Sequence, residues 1–251
     1  MISRYQVALN GVSLSSLHES LYIHDIEYEA PNIQTKITRI ANQDGAFHTD
    51  RYQEKSTVRI NFELPIYDIA DRQEACQAVA KWARSGGMLT TNDRPGQQLR
   101  VICAQVPAIT SALKWTELLT IVFESYAPYW EEITPVTLTL TGAETSGTLN
   151  VPGNIGMAKV DAVITPSASI SSVTVYAGDS YLTISGISGS GVITIDHDAH
   201  GFLRIERNDA SLLDKRIGSD DLIAESGGYN GFAVDASASV TVVFSVRGLW
   251  A

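Results

Sequence analysis

Residues 55–84 read KSTVRINFELPIYDIADRQEACQAVAKWAR, and the change of period inside this stretch decides the fold. Val58, Ile60, Phe62 and Leu64 alternate with Arg59, Asn61 and Glu63, as on a strand with one buried face. Pro65 has no N–H to donate and a fixed φ, so the ladder stops there. From Asp68 the period changes. Ala75, Cys76, Val79, Ala80, Trp82 and Ala83 recur at steps of three and four, a single apolar stripe on a helix predicted over about 69–84. Two N-caps compete: Asp68, and Asp71, which stands three residues before Glu74 as in a capping box. Ser85-Gly86-Gly87 offers the left-handed stop after the last turn. One strand feeds one helix whose stripe is core, and the rest of the chain reads almost wholly as β.

Ahead of this unit, Leu21–Ala30 reads as a strand with its alternating face starting at Tyr22 or Ile23, and Pro31 ends it. Ile33–Ala41 alternates through Ile33, Thr35, Ile37 and Arg39, and Asp44-Gly45 is a short hairpin signal before Phe47–Arg51. Behind the helix, Met88–Thr91 leads into Asn92-Asp-Arg-Pro-Gly96, which places Pro and Gly where turn geometry favours them. Leu99–Val106 returns as a strand. Trp115–Ser125 is another, largely apolar on both faces and therefore central in a sheet or between a sheet and the helix, with Trp115 and Phe123 as core. Ala127-Pro-Tyr-Trp-Glu-Glu closes this half.

From Pro135 the texture changes to Ser, Thr, Gly, Val and Ile. Val136–Leu140, Lys159–Thr165, Ser172–Tyr176, Tyr181–Ile184, Val192–Ile195, Phe202–Glu206 and Val240–Val246 are strand-length segments between glycine turns, the spacing of a jelly-roll β-sandwich. The predicted organisation is a domain over 1–133, a β-sandwich with one flanking helix, and a second β-sandwich over 134–251.

Composition restricts the function. The 251 residues carry a net charge of −10, with twelve basic and sixteen acidic residues up to Ile133 and six and twelve beyond it. No Lys/Arg cluster exists that can neutralise a row of phosphates, so specific nucleic-acid binding is not expected. No apolar run reaches the length that spans a bilayer, so no membrane insertion is expected. The opening MISRYQVALNG lacks a charged-then-apolar signal region, which points to cytoplasmic synthesis. Cys76 and Cys103 read as buried reduced thiols and offer no disulfide framework.

The chemistry-bearing motifs are few. Asp196-His-Asp-Ala-His200 offers His197 and His200 for zinc or Asp196 and Asp198 for calcium, but it lies between two strands and ends in Gly201, the content of a polar turn. Asp220-Asp221 with Glu225, and Glu131-Glu132, offer paired carboxylates, yet neighbours on a strand point to opposite faces. Tyr126, Tyr129 and Trp130 bunch at the domain junction, as a wedge between domains or a platform for a sugar ring. No nucleophile elbow, P-loop or dinucleotide fingerprint appears. The expectation is a non-enzyme with no catalytic, metal or cofactor site.

With those features in place, the chain resembles the distal tail proteins of long, non-contractile phage tails. The resemblance rests on the order of parts: the strand Val58–Leu64, the helix ending Ala80-Lys-Trp-Ala, Asp93-Arg-Pro-Gly96, Leu99–Val106, and Leu119–Glu124 running into Ala127-Pro-Tyr-Trp130. In the second half, Gly191–Asp196 resembles the family's glycine-strand-Ile-Asp step, Gly228-Tyr-Asn-Gly231 its late turn, and Arg247-Gly-Leu-Trp250 its closing strand. The resemblance implies a tail-tube-like first domain that forms a hexameric ring, joining the tail tube to the tail-associated tip protein around a channel for DNA. It implies a galectin-like second domain that projects outward and in some phages carries receptor-binding proteins, and a location at the virion tail tip.

A closed ring needs two different complementary patches per subunit, repeated head to tail. The hairpin turns are the expected arms: Asp44, Gly45 and Phe47 in one, Asp93, Pro95 and Gly96 in the other. An acidic channel wall keeps a phosphate backbone from adhering. The rival readings are a carbohydrate-binding module that recognises host cell-wall saccharide through the second sandwich, a glycan hydrolase, and a stacking tail-tube or baseplate protein.

Overall fold

The computed structural model describes residues 4–30, 33–38, 47–107, 118–127, 129–198 and 201–251 and divides into two compact units, Met1–Trp130 and Glu131–Ala251. The first unit contains β1 (Val7–Leu9), β2 (Val12–Ser13), β3 (Tyr22–Glu29), β4 (Ile33–Thr38), β5 (Phe47–Gln53), β6 (Ser56–Glu63), α1 (Ile69–Arg84), β7 (Gly87–Thr91), β8 (Gln97–Gln105) and β9 (Leu119–Ser125), with β10 (Trp130–Glu132) at the boundary.

Strand and helix stand where the change of period puts them. Val58, Ile60, Phe62 and Leu64 are buried, and so are the stripe residues Ala75, Cys76, Val79, Ala80, Trp82 and Ala83. Asp68, not Asp71, is the N-cap, and its carboxylate accepts the Asp71 N–H at 2.9 Å. Asp71 instead lies in the first turn, where its charge meets the positive end of the helix. Past the last turn Gly86 takes φ +58, and a Cβ there would come within 3.1 Å of the Val101 carbonyl oxygen.

The main sheet of this unit is antiparallel in the order β2-β1-β7-β8-β9-β6-β3. β9 is central, paired by β6 on one edge and β8 on the other. α1 covers one face. The Trp82 ring meets Phe123 edge-on with centroids 6.0 Å apart, and its indole N–H donates to the Val12 carbonyl at 2.9 Å. In β3 a register shift between Ile23 and Asp25 lets Ile23 and Ile26 both turn inward although they are three apart. Simple alternation from Tyr22 or Ile23 misses that bulge.

The second unit contains β11 (Val136–Val151), β12 (Met157–Pro166), β13 (Ser172–Ala177), β14 (Ser180–Ser185), β15 (Ile193–His197), β16 (Leu203–Arg207), β17 (Ala210–Ser211), β18 (Arg216–Gly218), β19 (Ile223–Glu225), β20 (Gly228–Val246) and β21 (Leu249–Trp250). Each strand-length segment read from the sequence falls on one of these. Two are far longer than the sequence suggested. β11 and β20 run side by side over their whole length, and both bend: β11 at a bulge between Gly142 and Glu144, β20 between Ala236 and Val240. One half of β20 pairs with β13 and the other with β12, so a single strand serves two layers. Phe232 and Phe244 would lie about 40 Å apart on a straight strand, yet their ring centroids are 5.0 Å apart in the core. That fold-back makes the sandwich.

Gly228-Tyr-Asn-Gly231 is not a turn. It opens β20, and the turn comes one step earlier, at Gly227 with φ +85. Asn230 is buried there and braces the turn, accepting from the Glu225 N–H at 2.8 Å and donating to the Glu225 carbonyl at 2.9 Å.

Candidate functional site

The two predicted arms differ. β4 and β5 form a two-stranded sheet of their own, Ile33 opposite Gln53 and Thr38 opposite Phe47, and among the described residues they pair with no other strand. Asp44 and Gly45 lie outside the described residues, while Phe47 begins β5. An isolated two-stranded hairpin is at best marginally stable in water, and its edges present unpaired N–H and C=O groups.

The second turn is tied down. Its tip, Pro95 and Gly96, is exposed, but its base is fastened on both sides. Asn92 accepts from the Gln6 N–H at 2.8 Å and donates to the Arg4 carbonyl at 2.9 Å. The Tyr28 hydroxyl donates to Asp93 at 2.8 Å and lies 3.0 Å from the Thr91 hydroxyl. The Arg94 guanidinium sits 5.1 Å from the Tyr28 ring centroid and 5.0 Å from that of Trp130, and the two rings meet edge-on at 5.7 Å. Burial, with the Asp93 carboxylate beside it, pushes the Tyr28 phenol well above its ordinary range, so the hydroxyl stays a donor. Of the aromatic trio, Trp130 is buried in this cluster while Tyr126 is exposed and bonds Glu124. Trp115 lies outside the described residues. No sequence pattern links Tyr28, Arg94 and Trp130, which are too far apart along the chain for any local period.

The metal candidates are committed elsewhere. Asp196 receives two hydrogen bonds from Arg204, at 2.8 and 2.7 Å, which hold its carboxyl below the usual range. Asp198 accepts the Phe202 N–H, closing the polar turn, and His200 lies outside the described residues. His197, nearly buried, is clamped between two carboxylates, with Nδ1 2.8 Å from Asp161 and Nε2 2.5 Å from Asp221. Lys159 lies 3.1 Å from the other oxygen of Asp221 and also bonds the Gly201 carbonyl. Burial pulls the imidazole pKa down, but the two carboxylates outweigh it and raise it to about 9. Burial likewise works to raise Asp221, and its cationic partners win, leaving it lowered. Arginine, histidine and lysine already neutralise these acids, so the cluster is an internal ion-pair network. Among the described residues no group of three or more His, Cys, Asp or Glu side chains converges as a metal site needs.

The acidic pairs do not face each other across a cleft. Asp221 belongs to the histidine network, Asp220 is exposed beside Arg216, and Glu132 accepts the Trp250 indole N–H at 2.8 Å. Cys76 and Cys103 are free, with burial pushing both thiols up. No helix among the described residues is long and apolar enough to cross a membrane.

What remains is a mainly β protein of two sandwich-type units with one helix, whose polar clusters brace the fold. No family model matches the sequence, and no curated protein does. Solved structures do, along the whole chain. The SPP1 Dit (gp 19.1) protein, described as a paradigm of the hub adsorption apparatus in phages infecting Gram-positive bacteria, superposes with a TM-score of 0.71 at 13% identity, covering 97% of this chain and 98% of that one. The phage P2 baseplate in its activated conformation gives 0.52 at 8% identity with calcium and 0.50 at 7% with strontium, each covering 97% of both chains. The chain has the fold of the phage distal-tail hub proteins.

Proposed function

We propose that this protein is a structural component of a phage tail tip, a distal tail hub. Six copies close a ring through the first unit at the end of the tail tube, join the tube to the tail-associated tip protein, and leave a channel for DNA. The second, galectin-like sandwich projects outward. The observation that carries the reading is the length of the likeness: it takes in both units and nearly every residue of each chain. A shared single sandwich would say far less.

The β4–β5 hairpin supports the ring. Among the described residues it pairs with no other strand, and a cyclic assembly gives every copy the same missing neighbour. Asp44, Gly45 and Phe47 belong to this reaching arm. Asp93, Pro95 and Gly96 form a contact post held in place by Tyr28 and Arg94, and only the tip of that post is presented to a neighbour. The acidic balance suits a bore through which a phosphate backbone slides without sticking.

Mass photometry and negative-stain microscopy of the purified chain, with and without the neighbouring tail-tip protein, test this. The expected result is a single-layer ring of six times the 27.2 kDa chain mass. Solitary molecules under all conditions, or rings that stack without limit, would overturn it.

A second reading rests on Tyr176 and Tyr181, whose part-exposed rings lie 6.1 Å apart on one sheet face. Beside them lies a shallow cavity of about 430 Å³ over Gly147, Gly231 and Ala233. Paired aromatic faces suit a sugar ring. Binding of host cell-wall polysaccharide that disappears in Tyr176→Ala would establish it.

A further inference from the structure

The registers of β11, β20, β13 and β14 fix, row by row, the sheet face that carries Tyr176 and Tyr181. One row runs Glu144, Asp235 and Thr174, and the next runs Ser146, Ala233, Tyr176 and Tyr181. The residues that alternate with them along the strands, Val175, Phe232 and Val234 among them, are buried, so these rows form the outer face. Glu144 and Asp235 stand directly opposite each other, both exposed, and neither forms an ion pair among the described residues. Like charges in that position destabilise a sheet. Neither row contains a Lys or Arg to offset them. Asp235 is the diagonal neighbour of Tyr176, a separation of about 7–8 Å on a sheet. Beside the tyrosines Gly231 leaves the floor of the cavity bare: a Cβ there would meet nothing within 4 Å.

We infer that this face binds a saccharide bearing free amino groups, one ring laid on the tyrosines and an ammonium group held by Glu144 and Asp235. The inference rests on the saccharide reading of Tyr176 and Tyr181 and names the class of sugar. A pyranose presents a flat C–H face, which suits an aromatic ring, and the bare floor at Gly231 gives the next ring room. An ammonium between the two carboxylates cancels their repulsion and gains charge-assisted hydrogen bonds. The free sheet carries that repulsion as a cost, and the bound sheet does not. An N-acetylated sugar is neutral there and brings no such relief. A phosphate-bearing polymer adds charge of the same sign and is repelled. A lysine-rich peptide supplies ammonium groups but no sugar ring for the tyrosines, so it engages only half of the face.

The test uses the full chain and three synthetic hexamers: β-1,4-linked glucosamine, the same glycan fully N-acetylated, and lysine. Binding is measured by calorimetry at about pH 5.5, where aliphatic amines are charged, and in about 0.15 M salt, which screens the overall negative charge of the chain. The glucosamine hexamer is expected to bind at least tenfold more tightly than either of the others. Gly231→Val puts a side chain into open space, so it should keep the wild-type melting temperature and weaken that binding at least tenfold. Asp235→Asn should bring the two glycans to equal affinity. By removing one of two opposed charges it should not lower the melting temperature. Equal binding of both glycans, lost in Gly231→Val, overturns the selection of an amine and leaves the saccharide reading standing. Binding of neither glycan overturns both. The inference is also overturned if the lysine hexamer binds as tightly as glucosamine, or if binding is undiminished in folded Gly231→Val or Asp235→Asn.

Discussion

Each unit ties distant parts of its chain together with one polar cluster, and the two use different chemistry. In the first, Tyr28, Thr91, Asp93, Arg94 and Trp130 meet through aromatic faces, a phenol held neutral and a guanidinium lying against both rings. In the second, Lys159, Asp161, His197 and Asp221 meet as alternating charges around an imidazole. In the first cluster the Tyr28 phenol, pushed above its ordinary range by burial, stays neutral through neutral pH. The second stabilises only while His197 is protonated and Asp221 is not.

The largest expected effect breaks the first cluster. Trp130 is buried, and Trp130→Ala removes both the edge-on partner of Tyr28 and one of the two rings under Arg94. Truncating a buried Trp costs about 3–5 kcal/mol. Denaturant unfolding followed by hydrogen exchange should show the loss in Met1–Trp130, with exchange in the β20 core unchanged. Tyr28→Phe sharpens the result by removing only the hydroxyl, at a cost of about 1–2 kcal/mol. If the two substitutions cost the same, the hydrogen bond to Asp93 and not the aromatic stacking holds the turn.

The second cluster is tested with pH. His197 titrates near 6.5 when unfolded and at about 9 when folded, so folding favours its protonated form. That contribution is complete below about pH 6.5, declines as pH rises, and is gone above about 9. The lowered Asp221 works in the opposite sense: its contribution is present above the ordinary carboxylate range and is lost in acid. Together they give a maximum in weakly acidic solution. The second unit should lose at most about 3 kcal/mol between pH 6 and 9.5. The same scan on His197→Gln should be nearly flat, and the first unit should show no such slope in either protein. A slope that survives in His197→Gln would assign the pH dependence to other groups.

These clusters mark the limit of what the sequence discloses. The strand-to-helix unit of residues 55–84 was legible because each of its signals is local: a period of two, a proline, a cap, a period near four, a glycine stop. The extent of β11 and β20 was not. Gly142, Gly147, Gly228 and Gly231 are turn residues by local preference, but pairing along β20 carries the ladder through all four. The bend that sets Phe232 against Phe244 is a property of two strands together, which no single-strand pattern contains. The strands Ile33–Thr38 and Phe47–Gln53 were readable from alternation, while the Asp44-Gly45 turn signal lies outside the described residues. That they pair with no other strand among the described residues was not, because sheet membership depends on partners elsewhere in the chain. His197 shows the same limit in chemistry: beside Asp196 and Asp198 it suggests a metal ligand, yet its partners are Asp161 and Asp221.

The smallest effects separate enclosed clusters from surface decoration. Asp68→Ala removes the N-cap of α1 and should cost about 1 kcal/mol, mostly as fraying of the first turn. Asp71→Ala should cost less, because Asp71 contributes charge near the helix end and a long contact, 3.6 Å, to His18 Nε2 from an exposed side chain. Arg59 and Glu29 form an ion pair at 2.9 Å on the uncovered face of the β3–β6 pair, with both side chains largely in water. Solvent and salt screen such a pair, and ordering two long side chains offsets most of its attraction. Arg59→Met should leave the melting temperature within experimental scatter at 0.15 M salt, whereas His197→Gln should not at pH 6. If Arg59→Met destabilised the chain as much as His197→Gln, enclosure would not be what distinguishes the two clusters from the polar face around them, and the contrast between the units would have to rest on geometry alone.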